Sequence, residues 1–195
     1  MQHRLTRKET QQQTRDRLLD AAARVFSRQG YYAVSVDEVA AEAGFSKGAV
    51  YSNFESKEEL FLALIDRRFD LDVENFPGFD SFIQAANPPK EGKGFAEIVE
   101  SDRTWSMLLI EFSLYAMRNE AVRQKFASRL SNLHARMEKS LTELYAARGK
   151  SPALPINELP WTIIALGMGT TMQFFIHPEG LPEGTYERAL EQILK

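Results

Sequence analysis

Four neighbouring residues carry groups suited to contacting a polyanion. Lys47 and Tyr51 stand four positions apart and share one helical face, with Gly48 and Ser52 beside them. A lysine neutralises phosphate or reaches guanine, a tyrosine hydroxyl donates to phosphate, and a glycine lets a backbone approach closely. The same four residues would also suit a solvated helix end. Their combination favours a helix whose outer face meets nucleic-acid phosphates and base edges.

Capping signals delimit the helices that must position these side chains. Ser35 and Glu38 form a capping box, and Gly44 then breaks the helical pattern as a tight turn requires. A second capping box, Ser56 with Glu59, opens the next helix. Upstream, an apolar helical pattern ends at Gly30. These signals predict a first helix, a helix-turn-helix and the start of a fourth helix.

The stretch from Leu18 to Leu64 resembles the DNA-binding domain of the tetracycline-repressor (TetR/AcrR-type) family of transcriptional regulators. Its most specific part is SKGAVYSNFESKEELF, with the Lys-Gly pair, the aromatic residue, the Phe and the Ser-Lys-Glu at these spacings. The resemblance implies that Ser35, Lys47, Tyr51 and Lys57 hold the DNA backbone. The predicted DNA-binding set is Ser35, Phe45, Ser46, Lys47, Gly48, Ala49, Tyr51, Ser52, Asn53 and Lys57. Where the family usually has Tyr or His before Phe54, this chain has Ser52 and Asn53, so the bases it selects stay open.

The resemblance implies an all-α protein with an N-terminal three-helix helix-turn-helix domain and a C-terminal helical bundle for ligand binding and dimerisation. The predicted parts are a flexible arm over residues 1–13, the DNA-binding domain over 14–56, a connecting helix over 57–76 and the ligand-binding and dimerisation domain over 77–195. Pro77 and Gly78 suggest the junction. The family further implies a homodimer in which the last two long helices of each subunit pair.

The segment from Leu159 to Ile176 is apolar almost all round, which predicts burial on several sides and independently favours a partner. A membrane span is the competing interpretation, but Gly, Thr and Gln residues interrupt a stretch that is barely of spanning length. We therefore predict no membrane contact.

The amino-acid composition limits which kinds of functional site the chain can hold. The net charge is -3, but residues 1–57 carry nine Lys or Arg against seven Asp or Glu, so the excess of negative charge lies downstream. There is no cysteine and only three histidines, which makes a metal site a poor prediction, and no cofactor is predicted. No phosphate-cradling loop or nucleophile elbow is present, which argues against an enzyme. No apolar stretch follows the basic N-terminus, so a cytoplasmic location is predicted.

Glu111 lies in the apolar segment MLLIEFSLYAM, where a carboxylate needs a partner. One interpretation is a salt bridge or hydrogen bond to a neighbouring helix, for example to an arginine of the amphipathic helix that follows. The other is a polar anchor in a ligand cavity. The predicted ligand-binding set is Trp105, Leu108, Glu111, Phe112, Tyr115, Met168, Met172 and Gln173.

These observations predict a homodimeric regulator, a repressor that a small hydrophobic ligand releases from a pseudo-palindromic double-stranded DNA operator. Two alternatives stay open: a DNA-binding regulator controlled by a protein partner with no small-molecule ligand, and a small-molecule-binding or catalytic helical protein that has lost DNA binding. Retention of Lys47, Tyr51 and Lys57 argues against the second.

Overall fold

The computed structural model describes residues 6–75 and 94–195, and the side chains of residues 6–68 and 94–195. Every regular element in these ranges is helical, as the predicted all-α class requires. The junction predicted at Pro77 and Gly78 lies outside the described residues. The helices are α1 (Arg7–Ala33), α2 (Val36–Ala43), α3 (Lys47–Tyr51), α4 (Lys57–Asn75), α5 (Phe95–Ser101), α6 (Arg103–Arg118), α7 (Glu120–Arg148), α8 (Leu159–Ile176) and α9 (Thr185–Ile193), with a 3-10 turn at Pro178–Gly180 before α9.

Helix α1 begins seven residues before the start predicted for the DNA-binding domain, so the predicted flexible arm is wrong for residues 7–13. A third capping box explains the difference. The Thr6 hydroxyl accepts from the Glu9 amide at 3.2 Å, and the Glu9 carboxylate accepts from the Thr6 amide at 2.6 Å. This signal was missed because no apolar residue follows it until Leu18.

Gly30 interrupts α1, as the apolar pattern predicted. Its φ of 80° and ψ of 169° are non-helical, and they turn the chain before α2 begins. Val34, which precedes the cap of α2, is buried together with Val39. This pair has the spacing of a hydrophobic staple, which fixes the direction in which the chain enters α2.

The helix-turn-helix forms where the caps predicted it. Ser35 caps α2 in a full capping box with Glu38, and Gly44 ends α2 in the left-handed conformation at φ 71°. The Ser46 hydroxyl then accepts from the Ala49 amide and caps α3. On α4, the Ser56 hydroxyl accepts from the Glu59 amide at 3.2 Å.

The chain divides into two compact units, and the division differs from the predicted domain boundary. The first unit joins the described residues up to Arg68 to the later segment Met107–Phe126. Aromatic packing explains why, because the ring of Phe112 lies 5.0 Å from that of Tyr31 and 4.6 Å from that of Phe61. Phe112 and Phe61 are fully buried. Most of α6, from Met107 onward, and the first turns of α7 therefore belong to the same unit as the helix-turn-helix.

Of the residues that the structure describes, the second unit comprises 69–75, 94–106 and 127–195. Residues from α7, α8, α9 and the C-cap of α9 form its core: Met137, Leu141, Tyr145, Leu159, Ile163, Tyr186, Leu190 and Leu194. The buried Tyr145 hydroxyl donates to the Leu194 carbonyl at 2.9 Å, which ties the end of the chain to α7. His134 is buried, and its ring lies 4.0 Å from that of Trp161.

Helix α8 is less buried than its composition predicted. Trp161, Met168, Met172 and Ile176 are exposed, and their spacing places them on one side of the helix. By length and composition alone α8 is apolar enough to cross a membrane, but the core helix of a soluble protein passes the same test. The opposite side of α8 packs in the core of the second unit through Leu159 and Ile163.

Candidate nucleic-acid interface

The outer face of α3 presents the predicted contact residues to solvent. Lys47, Gly48, Tyr51 and Ser52 are all exposed, while Val50 on the opposite side is buried. The Tyr51 side chain is 47% exposed, and its hydroxyl makes no hydrogen bond within the described part of the chain. An exposed aromatic ring with a free donor is available to an external acceptor.

Gly48 has no role in the fold that requires a glycine. Its φ is not positive, and a Cβ atom built on it would meet only the Ser46 hydroxyl, at the ordinary contact distance of 3.7 Å. A glycine inside a helix costs about 1 kcal/mol relative to alanine. The protein therefore keeps a destabilising residue at an exposed position, which is consistent with a requirement for close approach by another molecule.

Lys47 makes an ion pair with Asp37 of α2, with Nζ 2.8 Å from Oδ2. Both side chains are more than half exposed, and such surface pairs are weak in water. The Asp37 carboxylate raises the pKa of Lys47 through the hydrogen bond and its charge. The lysine is thus charged. Exchanging Asp37 for a phosphate as its partner would cost little free energy, because the exposed pair is weak.

Ser35 is exposed at the start of α2, and its hydroxyl is already oriented. It accepts from the Glu38 amide at 3.3 Å and donates to the Glu38 carboxylate at 2.8 Å. The Ser35 backbone amide, which also donates to the Glu38 carboxylate at 2.8 Å, and then the Ser35 hydroxyl hold the pKa of Glu38 below its ordinary value. An anion here would lie at a helix N-terminus, where backbone amides and the helix dipole favour negative charge.

The remaining predicted residues of this segment are bound into the local structure. The Ser52 hydroxyl and the side-chain amide of Asn53 both donate to the Ala49 carbonyl, at 2.9 and 2.8 Å. Ser46 is the cap of α3. Asn53 is half-buried, so it is less available for base contact than the prediction supposed, and its main part is to close the last turn of α3.

Two arginines of α1 brace the turn, and the sequence analysis did not single them out. The Arg17 guanidinium lies 4.7 Å from the centre of the Phe45 ring and donates to the Ala43 carbonyl at 3.4 Å. Arg15 donates to the Asn53 carbonyl at 2.8 Å and lies 4.2 Å from the Phe54 ring. Phe45 is accordingly a half-buried packing residue. The sequence could not have predicted these contacts, because many arginines are followed by an aromatic residue at a similar separation without touching it.

Lys57 lies at the start of α4 and points to the end of α1. Its ammonium donates to the carbonyls of Val34 at 2.6 Å and Tyr32 at 3.3 Å and lies 4.6 Å from the Tyr31 ring. Burial lowers the pKa of Lys57, although the nearby Glu58 and Glu38 carboxylates act in the opposite direction. An ammonium has three N–H donors, so one is left for an external phosphate.

Two of the predicted ligand residues have partners inside the first unit. The Glu111 carboxylate accepts from the Tyr31 amide at 2.7 Å. The Tyr115 hydroxyl donates to the Glu58 carboxylate at 2.7 Å. Burial acts to raise the pKa of Glu58, but the hydrogen bonds from Tyr115 and Ser56 outweigh it, and the net shift is downward. Glu111 therefore has the hydrogen bond to a neighbouring helix that one interpretation expected, with a backbone amide in place of an arginine.

The other predicted ligand residues divide between the units. Leu108 and Phe112 are buried in the first unit. Within the second unit, Met168 and Met172 are exposed on α8, Gln173 beside them is also exposed, and Trp105 is half-buried. The two methionines, expected to line an internal cavity, lie instead on the outer side of α8.

Comparison with known proteins agrees with this architecture. The family model for bacterial regulatory proteins of the tetR family matches residues 18–64. The HTH-type transcriptional regulator TtgW of Pseudomonas putida is 32% identical over 98 residues, covering 45% of this chain and 72% of TtgW. The HTH-type transcriptional activator FasR of Mycolicibacterium smegmatis is 48% identical over 56 residues, covering 29% of this chain and 26% of FasR. Thus the chain spans only a minor part of some curated relatives.

Solved structures match over most of the chain. A TetR-family transcriptional regulator from Rhodococcus sp. superposes with a TM-score of 0.69 at 19% identity, covering 93% of this chain and 98% of that one. FadR from Bacillus subtilis in complex with stearoyl-CoA gives a TM-score of 0.60 at 17% identity, with coverages of 90% and 95%. At these identities the likeness shows the fold alone.

Fold, capped turn and matched segment together define a helix-turn-helix transcriptional regulator. The chain belongs to the tetR family of bacterial regulatory proteins, and the family predicted from its sequence is confirmed.

Proposed function

We propose that this regulator binds a double-stranded DNA operator by inserting the exposed face of α3 into the major groove. Lys47, Gly48 and Tyr51 meet the bases and phosphates there, and Ser35 and Lys57 hold the flanking backbone. The observation that carries the proposal is Gly48, a helical glycine on an exposed face with no steric or conformational demand from the fold. The free Tyr51 hydroxyl and the weakly held Lys47 support it.

The functional unit of the proposal is a homodimer formed through α8 and α9. Trp161 is 63% exposed and Ile176 is 82% exposed, and with Met168 and Met172 they form an apolar stripe along α8. Covering such a stripe with the same stripe of a second copy buries it from water and gives a self-complementary two-fold interface. Two copies of α3 would then enter successive major grooves of a pseudo-palindrome, about 34–36 Å apart.

The second half of the proposal is a small hydrophobic ligand that releases a repressor from DNA. FadR, which shares the fold, was solved with stearoyl-CoA, and this supports a ligand of apolar character. A ligand that prefers one spacing of the two DNA-binding domains shifts the population toward it by its differential affinity. FasR is named an activator, so the sign of regulation is part of the proposal. A cytoplasmic location stays a prediction.

The competing proposal is a DNA-binding regulator that is controlled by a protein partner and binds no small-molecule ligand. It shares the α3 interface but predicts that no apolar small molecule changes operator affinity. Titrating fatty acyl chains and flat aromatic compounds into the protein–operator complex separates the two proposals, because only a ligand-responsive regulator changes its affinity.

DNA binding itself is tested by selecting duplexes from a random library with the full-length protein and footprinting the most enriched duplex. Two protected patches related by a dyad are expected. Lys47→Ala and Tyr51→Phe should each weaken binding by roughly 1 to 3 kcal/mol without changing the melting temperature. Failure to enrich any duplex would overturn the proposal.

A further inference from the structure

The junction between α1 and α2, residues 30–35, is held by side chains from three other parts of the first unit. The break at Gly30 takes the next amide, that of Tyr31, out of helical register, and the Glu111 carboxylate of α6 accepts from it at 2.7 Å. Gly30 permits this approach, since a Cβ atom there would lie 2.9 Å from Glu111 Oε2. A carboxylate from α6 thus replaces the missing helical acceptor.

Lys57 of α4 holds the carbonyls of the same junction. Its ammonium binds those of Tyr32 and Val34. The Ser35 amide, which ends the junction, donates to the Glu38 carboxylate at 2.8 Å. Side chains therefore bind four backbone groups within residues 31–35: the amides of Tyr31 and Ser35 and the carbonyls of Tyr32 and Val34. Ser35, which can bind an anion, is the last residue of this segment, and the cation Lys57 is bound to its carbonyls. The segment therefore positions both residues.

We propose that Glu111 is a positioning residue for DNA binding: by anchoring the Tyr31 amide it fixes the junction that presents Ser35 and Lys57 to the operator backbone. The inference rests on the proposed DNA-binding function and deepens it. Glu111 touches no DNA in this account. It acts through the backbone, because a junction already ordered in the free protein does not have to be ordered when DNA binds.

The geometry distinguishes this role from general stabilisation by α6. The ring of Tyr115, one turn further along α6, packs against the rings of Tyr31 and Tyr32 at 5.0 and 5.8 Å. Its hydroxyl, however, donates to the Glu58 side chain of α4 at 2.7 Å and to no backbone atom of the junction. Both hydrogen bonds join α6 to the rest of the unit. Of the two hydrogen bonds, only that of Glu111 reaches the backbone of the segment that carries Ser35. Tyr115→Phe removes the other hydrogen bond and keeps the aromatic ring that packs on Tyr31 and Tyr32.

The test uses the full-length protein, Glu111→Ala, Glu111→Gln as the conservative variant and Tyr115→Phe as the matched control. The probe is a fluorescein-labelled duplex selected by the wild type from a random library. Its dissociation constant is measured by anisotropy across a potassium chloride series, below each variant's melting temperature. Glu111→Ala should bind roughly tenfold more weakly, with a salt slope smaller by about one, because Lys57 loses its phosphate. Glu111→Gln keeps an oxygen acceptor and should restore both quantities.

Tyr115→Phe should lower the melting temperature yet keep the wild-type salt slope. Equal slopes in Glu111→Ala and wild type would overturn the inference while leaving DNA binding intact, and so would an equal loss of slope in Tyr115→Phe. A wild type that selects no duplex would overturn the proposed function itself, and the inference with it.

Discussion

Gly30 and Glu111 approach each other so closely that a side chain at position 30, where the positive φ already favours glycine, would displace the Glu111 carboxylate. A Cβ atom on Gly30 would lie 2.9 Å from one carboxylate oxygen of Glu111 and 3.1 Å from the other. The two residues are far apart in sequence, and their contact brings α6 against the broken end of α1. The first unit is consequently a composite of the helix-turn-helix and a later segment of the chain.

Gly30→Ala is expected to lower the free energy of unfolding by about 2 to 3 kcal/mol, because it combines a glycine-only backbone conformation with a steric clash. Gly44→Ala is the matched control. Gly44 also has a positive φ, but a Cβ atom there meets nothing within 4 Å, so only backbone strain of about 1 kcal/mol is expected. Urea denaturation measures both, and equal losses would show that Glu111 is not close to Gly30.

Lys57→Ala is expected to affect both folding and DNA binding. The variant loses hydrogen bonds to two carbonyls, which should cost about 1 kcal/mol of stability. It also loses a cation, so affinity for all duplexes should fall alike and the salt slope should decrease by about one. Lys150→Ala removes the same charge from an exposed site in the second unit. Loss of stability with an unchanged salt slope would assign Lys57 to the fold alone.

His134 should make stability depend on pH. Burial lowers its pKa from the ordinary value of 6.5. The unfolded chain therefore binds a proton that the folded protein resists, so stability is full above pH 6.5 and declines as pH falls toward the folded-state pKa. His134→Phe, which keeps an aromatic ring against Trp161, should reduce this decline. His177→Phe, at an exposed position, should not. Urea midpoints at about pH 7.5 and about pH 5.5 provide the measurement, and an unchanged decline in His134→Phe would contradict the assignment.

The apolar stripe on α8 should hold the dimer together. Met168→Glu places a charge near the middle of the stripe, where two-fold symmetry brings it close to its own copy, so the variant should sediment as a monomer. Gln173→Glu adds the same charge on the same helix beside the stripe and should stay dimeric. A wild type that sediments as a monomer at micromolar concentration would contradict the proposed interface.

Local signals in the sequence predicted the helix boundaries of the DNA-binding domain well. Ser35, Gly44 and Ser56 act within a few residues, so their effects are visible in the order of residues alone. The same kind of signal at Thr6 was overlooked because the helix it opens is polar for its first three turns. Capping chemistry, more than apolar periodicity, decides where α1 begins.

Contacts between distant parts of the chain were beyond sequence reasoning. The partner of Glu111 is the backbone amide of Tyr31, 80 residues away. That amide is free to donate to a side chain because Gly30 breaks the helix. Asn53 has the type of a base-contacting residue but finds a closer acceptor in the Ala49 carbonyl. Met168 and Met172 looked like pocket residues because apolar composition cannot distinguish a core from a surface that awaits a partner.

The insertion of α3 into DNA is tested most directly by Gly48→Ala, measured for operator affinity and melting temperature on one preparation. Because the fold leaves room for the methyl group, the variant should be as stable as the wild type or up to about 1 kcal/mol more stable. Its affinity for the selected operator should nevertheless fall at least tenfold, since the methyl group keeps α3 from the DNA. A Gly48→Ala protein that binds the operator with wild-type affinity would contradict the assignment of this face.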